Sequence, residues 1–72
     1  MSLVTQMIIA EKYGIRLTVE QLAELFGISK GAMANLISAG ECPVKTYKDG
    51  GKRWADYRDV AAHLDEIRKL AA

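Results

Sequence analysis

The sequence predicts a mostly α-helical domain that carries one small β-hairpin, and three observations lead to that fold class. Two short amphipathic segments joined at a glycine fill about residues 18–39. A pair of β-favouring segments with a glycine turn between them follows at about 44–54. One more amphipathic segment occupies about 57–70. This order is typical of a winged helix-turn-helix, and we expect one such domain over residues 1–72.

Composition limits the classes of protein to which the chain can belong. It has 72 residues, a formal net charge of +1 and a single cysteine, Cys42. A lone cysteine cannot form an internal disulfide, which fits a reducing compartment. The sequence contains no apolar run near the roughly 18 residues that cross a membrane. We therefore expect a cytoplasmic, nucleoid-associated protein that has no membrane partner.

The first segment, residues 3–13, favours a helix, although a strand over part of it stays open as an alternative. Val4, Met7 and Ile8 would share one helical face, and the segment holds more apolar residues than one face of a short helix buries. Surplus exposed apolar surface usually marks a contact surface. Residues 3–13 are therefore predicted either to mediate self-association or to cover the back of the core.

The second helix begins with a well-marked N-terminus. Thr18 and Gln21 have the spacing of a capping box, in which each side chain satisfies a backbone N–H at the helix start. Leu17 and Leu22 fall where a hydrophobic staple needs them. The positive φ available to glycine predicts that this helix ends at Gly27.

The third helix should begin at Ser29, a favoured N-cap residue, and stop at Gly40. Met33, Leu36 and Ile37 would form its buried face. Its outward face would then carry Lys30, Gly31, Ala34, Asn35 and Ser38. Two helices joined by a tight glycine turn make a helix-turn-helix, whose second helix commonly enters the DNA major groove.

The hairpin carries the strongest concentration of positive charge in the chain. Asp49-Gly50-Gly51 is a typical hairpin turn, and Val44–Lys48 and Lys52–Trp54 are the expected strands. Four basic residues against one acidic residue give residues 44–54 a local net charge of +3; they are Lys45, Lys48, Lys52 and Arg53. A basic hairpin directly after a helix-turn-helix is predicted to be a wing that contacts phosphate.

The last helix should be capped by Asp56 and should close the core. Its predicted buried stripe is Tyr57, Val60, Ala61, Leu64 and Ile67. We expect Trp54 to anchor the wing, because so small a domain needs its aromatic residues inside. The predicted core contains Leu22, Phe26, Met33, Leu36, Ile37, Trp54, Val60 and Leu64.

Residues 17–66 resemble the MerR-like winged helix of small phage and prophage proteins, the excisionases and the AlpA-type regulators. The shared features are the T-V-E-Q-L-A-E-L-F-G-I-S-K helix-turn-helix, the G-E-C-P link, the glycine-tipped wing and the closing helix. A weaker likeness joins T-Q-M-I-I-A-E-K-Y-G, residues 5–14, to the start of the pyocin-activator family. These resemblances imply binding to attachment-site or promoter DNA, cooperative assembly of several copies, and an integrase as a further partner.

The proposed recognition helix is sparse compared with those relatives, which often carry an aromatic residue and an arginine at its centre. This chain has Ala34 and Asn35 there. Only Asn35 suits a base edge, where a side-chain amide pairs with adenine, and Lys30 can reach a phosphate or a guanine. The predicted DNA contacts are Ser29, Lys30, Gly31, Ala34, Asn35, Ser38, Lys45, Lys48, Lys52 and Arg53.

Three functional hypotheses follow from the sequence. The first is an excisionase or small transcription regulator that binds double-stranded DNA. The second is a protein-interaction module, an anti-repressor or adaptor, on the same fold, and the third is a DNA-packaging subunit. His63 and Cys42 lack the neighbours that catalysis or zinc binding needs, so we expect no enzymatic activity, no metal and no cofactor.

Overall fold

The computed structural model describes residues 3–71, over which four helices pack with one three-stranded antiparallel sheet. Residues 1, 2 and 72 of the predicted domain lie outside this described part. The fold is a winged helix-turn-helix, mostly helical, as the sequence predicted. Its elements are α1 (Leu3–Tyr13), β1 (Arg16–Thr18), α2 (Val19–Phe26), α3 (Lys30–Ser38), β2 (Thr46–Asp49), β3 (Lys52–Asp56) and α4 (Tyr57–Leu70).

The first segment is a helix throughout, so the alternative of a strand there was wrong. Gly14, with φ +91°, follows the end of α1. Ile9 is the buried residue of this helix, which packs along α4. A hydrogen bond of 3.1 Å from the Thr5 hydroxyl to the Asp65 carboxylate joins the start of α1 to the last turns of α4. The two helices therefore run antiparallel.

A third strand, β1, adds to the hairpin that the sequence predicted. Leu17 pairs with Ala55, and β3 becomes the central strand in the order β1-β3-β2. Sequence patterns did not reveal β1 because three residues are too few to establish an alternation of apolar and polar side chains. β1 leads directly into α2 and pairs with β3, the strand of the wing that follows the helix-turn-helix. In the chain, the helix-turn-helix therefore lies between two strands that pair with each other.

The hairpin strands are displaced from their predicted positions of 44–48 and 52–54. The first strand starts only at Thr46, because Pro43 lacks a backbone N–H and Val44 is buried in the core. The second strand continues to Asp56, because it pairs with a neighbour on each edge. Gly50 and Gly51, with φ of +62° and +81°, form a two-residue turn of the type that hairpins favour.

The core lies where α2, α3, the sheet and α4 meet. Trp54 is not among its buried residues: side chains alternate along β3, and Ala55 is the one that points inward. Ile67 was wrongly included in the buried stripe of the last helix, since half of it is exposed and the fully buried residues of α4 lie earlier in the helix. The buried cluster is Ile9, Leu17, Leu22, Ala23, Met33, Val44, Ala55 and Val60.

The start of α4 is fixed by the side chain of Asp56. Its carboxylate accepts a hydrogen bond of 2.8 Å from the backbone N–H of Arg58 and pairs with the guanidinium of the same residue. The hydrogen bond from the Arg58 side chain lowers the pKa of Asp56. The N-cap predicted from the sequence is therefore present, with an ion pair added to it.

Candidate nucleic-acid interface

The turn between α2 and α3 is built from the local features that the sequence predicted. Thr18 and Gln21 form the complete capping box at the start of α2. Gly27 adopts the left-handed conformation, with φ +72°, and Ile28 donates its N–H to the carbonyl of Ala23 at 3.0 Å. Ala23 is buried, so its small side chain lets the second helix pack closely against the first. These contacts fix the angle between α3 and α2.

The outward face of α3 is exposed and unusually short of large side chains. Lys30 and Asn35 are its longest members. At Gly31 no neighbouring atom lies within 4 Å of the place where a Cβ would stand, so packing inside the protein does not require glycine there. The exposed positions of α3 are Lys30, Gly31, Ala32, Ala34, Asn35 and Ser38. A helix with this face can approach another surface closely.

The first turn of α3 has its own arrangement of backbone donors. The Ser29 hydroxyl accepts from the N–H of Ala32 at 3.1 Å, and the Ser29 carbonyl accepts from Met33 at 3.0 Å. The helix geometry leaves the N–H groups of Lys30 and Gly31 without an acceptor in the preceding turn. Such groups at a helix N-terminus favour a phosphate oxygen.

The basic residues of the wing are divided between its two faces. Lys48 and Arg53 are directly paired across the hairpin and so share one face. Lys52 pairs with Asp49 on the other face. The Arg53 guanidinium donates to the Thr46 hydroxyl at 3.0 Å, which fixes its direction. The wing therefore offers cations on both sides.

A cleft of about 320 Å³ separates the wing from the two helices of the helix-turn-helix. Its lining includes Lys30 at the start of α3 and, from the wing, Lys52 and Arg53, which are neighbours in β3 and present opposite faces of the hairpin. Glu20 also lies here and accepts a hydrogen bond of 3.0 Å from the Lys30 ammonium group. Both members of that ion pair are well exposed, so water and salt screen it strongly. Three cations and one carboxylate leave the cleft positively charged.

Lys45 does not belong to this group. It lies in the segment before β2 and lines a separate groove against α4, together with Pro43, Val44, Asp59, Ala62, His63 and Glu66. The carboxylates of Asp59 and Glu66 give this groove an acidic side. The prediction grouped Lys45 with the wing because the two are close in sequence, whereas the buried side chain of Val44 fixes the segment elsewhere.

Arg16 is a contributor to the site that the sequence did not reveal. Its guanidinium pairs with the Asp49 carboxylate at 2.7 Å and lies 4.0 Å above the centre of the Trp54 ring. The hydrogen bond to Asp49 raises the pKa of Arg16. The Trp54 indole N–H also donates to the Asp49 carbonyl, at 3.1 Å. Together these contacts connect β1 to the end of the wing and fix the wing's position over the cleft.

The residues considered for chemistry make structural contacts. The His63 ring lies 5.4 Å from the Phe26 ring, centre to centre, and the Cys42 sulfur lies 4.0 Å from that of Met33. Across residues 3–71, no group of three or more His, Cys, Asp or Glu side chains is placed to hold a metal ion. In the same part of the chain, the helices are too short or too polar to cross a membrane.

Fold and cleft together define a winged helix-turn-helix domain whose second helix and wing face one basic cleft. Residues 16–55, from the start of β1 nearly to the end of β3, match the family described as Helix-turn-helix domain, and the chain belongs to that family. It is a DNA-binding helix-turn-helix protein. No curated protein and no solved structure shows a significant match to the chain.

Proposed function

We propose that this protein binds duplex DNA with α3 in the major groove and the wing on the neighbouring backbone. The observation that carries the proposal is the convergence of Lys30, Lys52 and Arg53 on one cleft. Cations grouped around one cleft favour contact with the phosphate backbone, and neutralising phosphates releases counterions. Most of the affinity then comes from the backbone, and the base contacts supply specificity.

The small face of α3 supports close entry into the groove. Gly31 and Ala34 add no contacts, but they leave room for the helix to lie deep, with its first N–H groups near a phosphate. Asn35 is the side chain suited to a base edge, where its amide pairs with adenine. With one such contact, a single copy should discriminate only modestly between DNA sequences.

The biological role that we propose is that of a phage- or prophage-type excisionase or small transcription regulator. The support is the likeness of residues 17–66 to excisionases and AlpA-type regulators, together with the weaker likeness of residues 5–14 to pyocin activators. An excisionase of this kind would work with an integrase at attachment-site DNA, and a regulator would work at a promoter. Either would act in the cytoplasm, at the nucleoid.

Fluorescence anisotropy with labelled duplexes tests the proposal. The protein is titrated into DNA that flanks its own gene and into a random duplex of the same length, each at several salt concentrations. We expect salt-dependent binding to both, with tighter binding to the flanking DNA. Failure to bind either duplex at low salt would contradict the proposal. Footprinting, followed by excision and promoter-reporter assays on the protected DNA, separates the two roles.

A second candidate is a protein-interaction module that acts as an anti-repressor or adaptor. Two observations favour it: α3 has few side chains that read bases, and Glu20 partly neutralises Lys30 in the cleft. This candidate predicts that the Lys52→Ala, Arg53→Ala variant keeps its biological activity. The DNA-binding proposal predicts that the same variant loses it.

A further inference from the structure

Glu20 differs from the other charged residues that line the cleft, because its charge opposes theirs. The lining contains three cations, Lys30, Lys52 and Arg53, and Glu20 is the acidic side chain among the lining residues. A carboxylate in this place repels phosphate and weakens its binding. Glu20 makes no DNA contact in the arrangement proposed above, so its position calls for a separate explanation.

The fold holds Glu20 and Lys30 within reach of each other. Glu20 is the second residue of α2, and Lys30 is the first residue of α3. The left-handed Gly27 and the buried Ala23 fix these two helix starts relative to one another. The Lys30 ammonium group therefore lies 3.0 Å from the Glu20 carboxylate, although the two residues are ten positions apart in the chain.

The Glu20 carboxylate has the surroundings that suit a phosphate oxygen. It belongs to the first turn of α2, where the helix dipole favours a negative charge. It also accepts a hydrogen bond from a lysine, as phosphates commonly do. In the free protein, Glu20 is thus the anion that Lys30 contacts.

The contact between the two side chains is open to exchange. The Lys30 and Glu20 side chains are 65% and 69% exposed, so water reaches both of them. An exposed ion pair of this kind contributes little to stability. A DNA phosphate can therefore replace Glu20 at Lys30 without disturbing the packing of α2 against α3.

We propose, on the basis of the DNA-binding function above, that Glu20 competes with the DNA backbone for Lys30. When DNA enters the cleft, a phosphate replaces the carboxylate and Glu20 turns to solvent. Binding then includes the loss of the Glu20–Lys30 pair and the repulsion between Glu20 and the incoming backbone. Glu20 therefore lowers the affinity of each copy for all sequences alike, because backbone contacts carry no sequence information.

Fluorescence anisotropy with Glu20→Gln tests the competition. This change removes the charge and keeps the size of the side chain, so we expect several-fold tighter binding at low salt to both the flanking and the random duplex. The gain should shrink as salt rises, because salt screens the charges. Glu24→Gln is the matched control, since Glu24 is an exposed residue of the same helix that does not line the cleft. Urea unfolding should show nearly unchanged stability in both variants.

Three outcomes of these titrations would overturn the competition. Glu20→Gln could bind no more tightly than Glu24→Gln while the wild type binds DNA, which would leave the DNA-binding function standing. Tighter binding to the flanking duplex alone would assign Glu20 to base recognition. If neither the wild type nor Glu20→Gln bound any duplex at low salt, the proposed function would fail as well.

A double-mutant cycle with Lys30→Met tests whether Glu20 acts through Lys30. If the two anions compete for one ammonium group, the gain from Glu20→Gln should be several-fold smaller when Lys30 is replaced. Repulsion between Glu20 and the backbone alone predicts the same gain in both backgrounds, because independent effects add. Additive effects would therefore overturn the exchange of partners at Lys30.

Discussion

Asn35 is the one exposed amide side chain at the centre of α3. If it pairs with an adenine, Asn35→Ala should cost about 1–3 kcal/mol of binding free energy at the preferred site and much less on random DNA. The free energy of unfolding should stay within about 0.5 kcal/mol of the wild type, because the position is exposed. Anisotropy titrations and urea unfolding measure the two quantities. Glu41→Ala, an exposed polar change just beyond α3, is the control. Equal losses on both DNAs would mean that Asn35 contacts the DNA backbone and does not read a base.

Arg16 is a single residue that connects β1 to the end of the wing. Arg16→Leu removes the ion pair with Asp49 and the stacking of the guanidinium on Trp54. We expect the amides of the hairpin turn to exchange with solvent several-fold faster, while those of α2 and α3 keep their protection. Hydrogen–deuterium exchange measures this. Arg58→Leu removes an ion pair at the start of α4 instead, so it should leave the turn unchanged.

At the scale of the element, the wing should account for a measurable part of the salt dependence of DNA binding. Four phosphate contacts, by Lys30, Lys48, Lys52 and Arg53, predict a slope of log K against log salt of roughly −3.6. The double change Lys52→Ala, Arg53→Ala should flatten that slope by about two units and weaken binding to all sequences alike. Lys45→Ala removes the same charge from the groove beside α4 and should leave the slope unchanged. If Lys45→Ala flattened it too, the DNA interface would extend to the groove beside α4.

The N-cap of α4 makes a prediction about pH. Because Arg58 lowers the pKa of Asp56 below 3.8, the ionised carboxylate contributes stability that is fully present above the unfolded pKa. This contribution is lost as the pH falls through the lower folded pKa. Asp56→Asn keeps a good N-cap but loses the ion pair with Arg58, so it should lower stability slightly at pH 7 and lose less stability in acid, whereas Asp56→Ala should cost about 1 kcal/mol at pH 7. Thermal unfolding from pH 7 to pH 2 tests both variants, and an unchanged acid limb in Asp56→Asn would contradict this role.

At the scale of the whole molecule, Leu17 connects the sheet to the helices. It is fully buried and belongs to the same cluster as Met33 and Val60. Leu17→Ala should cost about 2–5 kcal/mol, a large share of the roughly 4–11 kcal/mol expected for a chain of this length. The far-ultraviolet dichroism and the Trp54 fluorescence should be lost in one transition at lower urea. Ile15→Ala, at an exposed neighbouring position, should change stability by less than about 0.5 kcal/mol, and separate transitions for the two probes would argue against a single core.

The sequence predicted the features that depend on a few neighbouring residues. The capping box of Thr18, the left-handed Gly27 and the exposed face of α3 follow from local backbone chemistry and helical periodicity, so they were accessible without a structure. Contacts between distant segments were not. Arg16 stacks on Trp54 only because β1 pairs with β3, and no short-range pattern announces a three-residue strand. Lys45 was assigned to the wing by its position in the chain, although the burial of Val44 places it elsewhere.

The pairing of β1 with β3 also determines how much of the chain must be present before the protein can fold. A ribosome releases β1, α2 and α3 well before β3, the strand that completes the sheet on both edges. Until β3 emerges, Leu17 has no strand beside it and the core lacks Ala55. We therefore expect a chain that ends before β3 to leave the helix-turn-helix without the strand that closes its core. Such a fragment would expose the apolar side chains of α2 and α3, and we expect proteases to cleave it faster than the whole protein.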